Sequence, residues 1–395
     1  MEITITPGKL SGHVRAIPSK SQAHRLLICA AFADAPTELI CPDTNRDIEA
    51  TADCLRSLGA RIIRTDQGYR VIPISAPPKT AVLNCCESGS TLRFMLPIAG
   101  ALGVDATFQM EGRLPERPLS PLWEEMERMG CHLDRPSAST LRCTGQLKSG
   151  EYIIDGGVSS QFITGLLFAA ALMEGDSNIT VTGRLESKPY VTMTQHALSI
   201  FDVDTENFTI RGSQLFHSPG QVYVEGDWSN AAFWLAAKAL GSPLTVDNLD
   251  SNSAQGDRAA AQLLPQLRRE NYTIDASDIP DLVPIMAVVA AASQGAEFTN
   301  IQRLRLKETD RVATVCAMLN ALGAATHATE NTLTVFPSTF GGCVIDAAND
   351  HRIAMSAAIA ATVASAPVTI LNADCVKKSY PGFWEEYRHL GGNYG

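Results

Sequence analysis

Aromatic residues are scarce, at 6% of 395 residues, so the cores must be packed mainly by Ala, Leu, Ile and Val. Charge is also sparse, at 19%, and its balance is acidic: 32 Lys and Arg against 42 Asp and Glu give a net charge of −10. A nucleic acid as main partner is thereby excluded, because a phosphate backbone needs a basic face. A small anionic ligand in a locally positive cleft is not. The ten cysteines include no CxxC pair and no Cys/His cluster with zinc spacing, so no metal or cofactor is expected and the thiols read as reduced. The longest apolar run, about eleven residues at 282–292, is too short to cross a bilayer. Residues 1–6 alternate like a strand and lack the basic-then-apolar order of a signal peptide. The expectation is a soluble, cytoplasmic protein without a membrane partner.

Apolar residues make up 45%, enough for two or three domains with real cores. Two helix types alternate with a spacing of about 70 residues. One series is amphipathic, at 47–58, 119–129, 190–201, 255–267, 308–322 and 383–390, and several members end in the glycine that a left-handed C-cap requires. The other opens on small polar residues and continues as Ala/Leu-rich runs, at 21–33, 90–102, 160–173, 229–240, 281–292 and 350–363. Being apolar nearly all round, these helices are expected to be buried. Pro284 falls in a first turn, whereas Pro97 and Pro265 fall inside helical patterns, where kinks are expected. Short alternating stretches such as 61–63, 69–74, 179–182, 208–210, 244–246, 333–336 and 368–371 read as strands. The unit is strand, buried helix, strand, amphipathic helix, strands, repeated six times, with a midpoint near 224–227.

A helix N-terminus carries about half a positive charge and free N–H groups, so six buried helices opening on one cleft would form an anion trap. The polar residues gather at those openings. Lys20, Ser21 and Arg25 flank the first helix start, either around an anion or as solvated charges. Gly89 would let a ligand approach backbone, and Arg117, between Glu116 and Pro118, is either a rigid anion fork or a partner of Glu116. Ser159, Ser160 and Gln161 open the third buried helix, and Ser187 and Lys188 precede another. Asp281 either caps its helix or acts chemically. Lys307 and Arg311, four apart on an expected helix, place like charges on one face, which is destabilising unless an anion sits there. Asp350-His351-Arg352 and Lys377-Lys378 complete the set.

These stretches, from Pro18-Ser19-Lys20-Ser21 through Lys307-Glu308-Thr309-Asp310-Arg311 and Asp350-His351-Arg352 to Lys378-Ser379-Tyr380-Pro381, resemble the 3-phosphoshikimate 1-carboxyvinyltransferase (EPSP synthase) family from about residue 7 onward. The resemblance implies an α/β fold of two similar domains, each of three βαβαββ repeats (an inside-out α/β barrel of the enolpyruvyl transferase type). It also implies a first strand that joins the C-terminal domain. The expected domains are 1–14 plus 226–395, and 15–225, with the active site in the cleft between them. The implied reaction moves the enolpyruvyl group of phosphoenolpyruvate to the 5-hydroxyl of shikimate 3-phosphate, on the route to chorismate and aromatic amino acids. By resemblance, Lys20, Ser21, Arg25, Ser159, Ser160, Gln161, Ser187, Asp281 and Lys307 contact shikimate 3-phosphate. Lys20, Gly89, Arg117, Gln161, Arg311, Arg352 and Lys378 surround phosphoenolpyruvate. Asp281 is the expected base, with Glu308 or Lys20 the acid.

A monomer inhibited by glyphosate is expected, with no metal. Glu87 and Arg303 depart from the family pattern, where Asn is usual; Glu87 then needs a cationic partner, with Arg93 and Arg117 as candidates. The alternatives are a UDP-N-acetylglucosamine enolpyruvyl transferase, which usually carries a loop Cys that residues 114–118 lack, and a non-catalytic anion-binding relative.

Overall fold

The computed structural model describes residues 1–395 and divides into two units, Pro18–Val224 and Met1–Ile17 with Glu225–Gly395. The first contains six helices: α1 (Lys20–Ala31), α2 (Arg46–Ser57), α3 (Gly89–Leu102), α4 (Leu122–Arg128), α5 (Ser160–Leu172) and α6 (Lys188–Ile200). The odd-numbered ones are almost wholly buried, as their apolar composition requires, and α2 buries only its Ile48, Ala52, Leu55 stripe and its neighbours.

Three sheets enclose this core. Two are four-stranded, in the orders Gln221–Tyr223, Thr37–Ile40, Gly68–Ile72, Arg61–Thr65, and Thr80–Asn84, Asp105–Gln109, Thr140–Gly145, Cys131–Ser137. The third has Glu151–Asp155, Ser177–Thr182 and the two-residue strand Thr209–Ile210. Each begins with a parallel pair (Val222↔Leu39, Val82↔Thr107 and Ile153↔Thr180 in register), and a parallel pair needs a crossover. α3 and α5 are those crossovers within their own repeats. α3 and α5 touch backbone to side-chain stump: a Cβ on Gly165 would strike the Arg93 carbonyl and Pro97. Pro97 sits inside α3 without breaking it, because its missing N–H is lost from a helix already held by packing on every side.

The second unit repeats the plan with α7 (Trp228–Ala239), α8 (Ala260–Leu267), α9 (Val283–Ala291), α10 (Arg311–Ala321), α11 (His351–Ala361) and α12 (Phe383–His389). Here α7, α9 and α11 are the buried set. The first strand, Ile3–Thr6, lies between Val368–Leu371 and Asn393–Tyr394, and Gly12–Arg15 pairs in parallel with Leu244–Asp247. The scarce aromatics are concentrated where α12 docks: Trp234 stacks on Phe383 at 5.0 Å, and Trp384 Nε1 donates to Ala373 O at 2.9 Å.

Two repeats are incomplete. The repeat of α5 and α6 ends in a two-residue strand, and that of α7 and α8 has a two-stranded sheet. Five helix starts also differ from the periodicity by two residues or more. α4 begins at Leu122 rather than 119, and α6 at Lys188 rather than 190. α10 begins at Arg311 rather than 308, because Asp310 caps it by accepting from Ala313 N. α8 is preceded by a 3-10 turn, Gly256–Ala259, where a continuous helix is expected. α9 begins at Val283, after a turn at Pro280–Leu282. No helix is long and apolar enough to cross a membrane.

Candidate functional site

In the unit Pro18–Val224 the buried helices open on neutral caps. Ser19, Ser88 and Ser159 accept from Gln22 N, Thr91 N and Gln161 N, so the dipoles of α1, α3 and α5 keep their positive ends uncompensated. At the start of α3, Arg117 and Arg93 close over Gly89: a Cβ there would lie 2.6 Å from Nη1 of each. Arg93 is 3% exposed and donates to Gln161 Oε1 at 3.1 Å and Pro118 O at 3.0 Å, while Gln161 Nε2 donates to Ser90 Oγ at 2.9 Å. Arg117 is not the partner of Glu116, which pairs with Arg113 at 3.3 Å; its Nε is buried without a hydrogen-bond partner. Gly89, Arg117 and Gln161 are thus brought together, with Arg93 between them.

Around α1, Lys20 Nζ bonds Asp47 Oδ2 at 2.9 Å. Arg25 is held inside the fold. Its Nε donates to Thr194 Oγ1 (2.8 Å), Nη1 to Ser21 O (2.6 Å) and Nη2 to Tyr190 O (2.9 Å), which ties α1 to α6. Burial brings its pKa down to about 10. Ser160 and Ser187 are buried, and Ser187 takes a left-handed φ of 54° at the mouth of α6.

In the other unit the caps are acidic. Asp227, Asp310 and Asp350 cap α7, α10 and α11, and α9 has no side-chain cap. A carboxylate at an N-cap offsets the dipole, so the anion trap of six equivalent helix ends is not what this unit builds. Its positive charge comes from side chains. Arg311, 1% exposed, donates to three carboxylates: Asp281 Oδ1 at 2.7 Å, Glu308 Oε2 at 2.5 Å and Asp350 Oδ2 at 2.8 Å. Burial alone would lower the guanidinium's pKa, but Asp350, Glu308 and Asp281 hold it above the ordinary value. Burial likewise opposes a charged Asp350, and Arg311 keeps that carboxyl below its usual range.

Asp281 does not cap α9. Its carboxylate also receives Lys307 Nζ at 3.4 Å and Arg352 Nη2 at 3.1 Å, and its backbone O accepts from Arg352 Nη1 at 3.1 Å. Lys307 and Arg311 therefore do not share a helix face, since Lys307 lies before α10. The mutual repulsion expected of them is relieved by the Asp281 carboxylate that both address. Burial leads in lowering the Lys307 pKa to about 8, with Arg311 and Arg303 adding to it and Asp281 opposing. Lys378 Nζ donates to Asn349 O at 3.0 Å. Asp281, Lys307, Glu308, Arg311 and Arg352 form one hydrogen-bonded cluster that could hold an anion beside a carboxylate.

A sequence profile of the family described as EPSP synthase (3-phosphoshikimate 1-carboxyvinyltransferase) matches residues 5–271 and 264–387. The chain belongs to the EPSP synthase family. A 3-phosphoshikimate 1-carboxyvinyltransferase of Clostridium kluyveri is 40% identical, covering 99% of this chain and 97% of that one. One of Clostridium perfringens is 39% identical over 99% and 98%. Among solved structures, an EPSP synthase of Acinetobacter baumannii superposes with a TM-score of 0.80 at 23% identity, over 100% of this chain and 99% of that one. The enolpyruvyl transferase NikO of Streptomyces tendae gives 0.76 at 19%, over 100% and 98%. At such identities the likeness concerns the fold, which is the two-domain α/β architecture of enolpyruvyl transferases.

Sequence reasoning missed three members of these EPSP synthase family clusters. Arg93 was legible as the one charge in the otherwise apolar α3. Asp350 stood in its motif but without a role. Ser229, which accepts from Arg352 Nη2 at 2.6 Å, carried no distinguishing signal.

Proposed function

We propose that this chain transfers the enolpyruvyl group of phosphoenolpyruvate to the 5-hydroxyl of shikimate 3-phosphate, releasing phosphate. The observation that carries the reading is the Asp281 cluster in a chain 40% identical over its whole length to a 3-phosphoshikimate 1-carboxyvinyltransferase. Both substrates are anions, and the reaction needs a proton donor, a proton acceptor and fixed positive charge. A proton added to the methylene carbon leaves a cationic centre, which the 5-hydroxyl oxygen attacks as its own proton leaves. The tetrahedral adduct then expels phosphate and gives up a methyl proton, restoring the methylene.

In this reading Asp281 takes the hydroxyl proton, and Glu308 supplies the methylene proton, with Lys20 as the rival donor. Arg311, Arg352, Lys378, Lys20, Arg117, Gln161 and the open backbone at Gly89 receive phosphoenolpyruvate. Lys20, Ser21, Arg25, Ser159, Ser160, Gln161, Ser187, Asp281 and Lys307 receive shikimate 3-phosphate, so residues of both units are needed at once. Arg25 has three donors committed internally and would offer only its remaining N–H groups. The reading takes the enzyme to be a cytoplasmic monomer without a metal, and glyphosate to compete with phosphoenolpyruvate. Incubating the protein with phosphoenolpyruvate and each acceptor in turn tests it: phosphate should appear with shikimate 3-phosphate. Phosphate with UDP-N-acetylglucosamine instead would reassign the acceptor.

A further inference from the structure

His24 lies on α1 between the site residues Lys20 and Arg25, and no step of the proposed reaction uses it. Its side chain heads a line of hydrogen bonds that crosses three helices. His24 Nδ1 lies 2.7 Å from Thr51 Oγ1 of α2, and Thr51 Oγ1 lies 2.7 Å from Thr91 Oγ1 of α3. Thr91 Oγ1 donates to Ser88 Oγ at 2.7 Å, and Ser88 Oγ caps α3 by accepting from Thr91 N at 3.2 Å. All four residues are 1% exposed or less. The His24 ring also stands edge-on to Phe94 of α3, with centroids 6.3 Å apart.

A hydroxyl has one proton, which fixes the order of donation from the cap outward. The Thr91 proton faces two acceptors, Ser88 Oγ and, at 3.5 Å, Asp47 O. Thr91 Oγ1 must then accept from Thr51, and Thr51 Oγ1 must accept from His24. The network thereby assigns the ring proton to Nδ1. Nε2 is left as a buried acceptor with no hydrogen-bond partner. Burial, with Lys20 and Arg25 adding to it, keeps the His24 pKa well below the ordinary value, so the ring is neutral. A buried acceptor without a donor is a net cost to the fold, which an apolar side chain of similar size would avoid. What the imidazole adds is the donor at the head of the line.

His24 is one turn beyond Lys20 on α1, and Thr51 is one turn beyond Asp47 on α2. Lys20 Nζ and Asp47 Oδ2 are themselves 2.9 Å apart. Thr91 is in the first turn of α3, two residues past Gly89. The line therefore pins, about one turn inward, the helix starts that carry Lys20, its acidic partner and the open backbone at Gly89. We infer that His24 is a positioning residue for phosphoenolpyruvate: donating from Nδ1 through Thr51 and Thr91 to the Ser88 cap, it sets α3 against α1 so that Gly89 and Lys20 address one anion. The inference rests on the proposed function above.

The test compares the full-length wild type with His24→Leu, His24→Asn, Thr91→Val and the double variant His24→Leu with Thr91→Val, by steady-state phosphate release and thermal unfolding. Nitrogen NMR of isotope-labelled histidine reads the ring, the His24 signal being the one lost in His24→Leu. Asparagine can place an N–H near the position of Nδ1, and leucine cannot donate. His24→Leu should raise KM for phosphoenolpyruvate by roughly tenfold with a much smaller change in kcat. His24→Asn should recover most of that loss. The double variant should be no worse than the more severe single one, as links of one chain require. The wild-type ring should carry its proton on Nδ1, with Nε2 bare, at both pH 6 and pH 8. An unchanged KM in His24→Leu, a loss that follows a lower Tm and is not relieved by asparagine, multiplicative effects in the double variant, or a proton on Nε2 would each overturn the inference. A wild type that releases no phosphate would instead remove the functional reading on which it stands.

Discussion

Asp281 Oδ1 lies 2.7 Å from Arg311 Nη1, and the same carboxylate takes Lys307 and Arg352 on its other lone pairs. A carboxylate so held has one orientation, which is what a proton acceptor needs, and its removal takes a shared counter-charge from three cations at once. Asp281→Ala should therefore lower kcat by about 10²–10⁴-fold, the usual range for a lost acid–base group. Binding of shikimate 3-phosphate, followed by calorimetry, should persist. Turnover at the wild-type rate would take Asp281 out of the mechanism.

Gly89 faces a different constraint. Its missing Cβ is the space into which Arg117 and Arg93 extend. Gly89→Ala should push both guanidiniums aside and raise KM for phosphoenolpyruvate about tenfold, roughly 1.4 kcal/mol, leaving KM for shikimate 3-phosphate unchanged. The inhibition constant for glyphosate should rise in parallel. An unaltered KM for phosphoenolpyruvate would show that Arg117 does not receive it.

Lys307 gives a pH dependence with a defined sign. Its pKa, lowered by burial to about 8, makes it a cation below that pH and neutral above it. KM for shikimate 3-phosphate should rise above pH 8, by up to about tenfold per pH unit, and Lys307→Gln should flatten that limb. For stability, burial outweighs the Asp281 pairing, so the fold disfavours the charged form and the cost is fully present below pH 8. Lys307→Gln should then melt higher than the wild type at pH 7, with the gap closing between pH 8 and 10.5. A gap that widens with pH would contradict the assignment.

Phe383 anchors α12 by stacking on Trp234 at 5.0 Å. Phe383→Ala should destabilise by about 3–5 kcal/mol in urea titration, as for other large-to-small changes at buried aromatics. A loss below about 1 kcal/mol would mean that the surrounding rings collapse to fill the space.

Helix alternation was legible because a helix apolar on all sides and a helix with one apolar stripe differ in composition as well as period. α9, with no charge from Val283 to Ala291, and α2, with its Ile48–Leu55 stripe, are the clearest cases. The start of α10 was not, because the period of apolar residues is blind to Asp310, whose side chain decides where the helix begins. The candidate site was legible as motifs and not as partners. Spacing put Lys307 and Arg311 on one helix face, and only the chain path brings Asp281, 26 residues before Lys307, between them. Ser229 was invisible for the same reason: its meaning comes from the Arg352 guanidinium it touches.

The most direct test is phosphate release by the purified protein with phosphoenolpyruvate and shikimate 3-phosphate, supplied singly and together. Stoichiometric phosphate with both and none with either alone is the predicted result. No release with both present, under conditions where the protein is folded, would contradict the account.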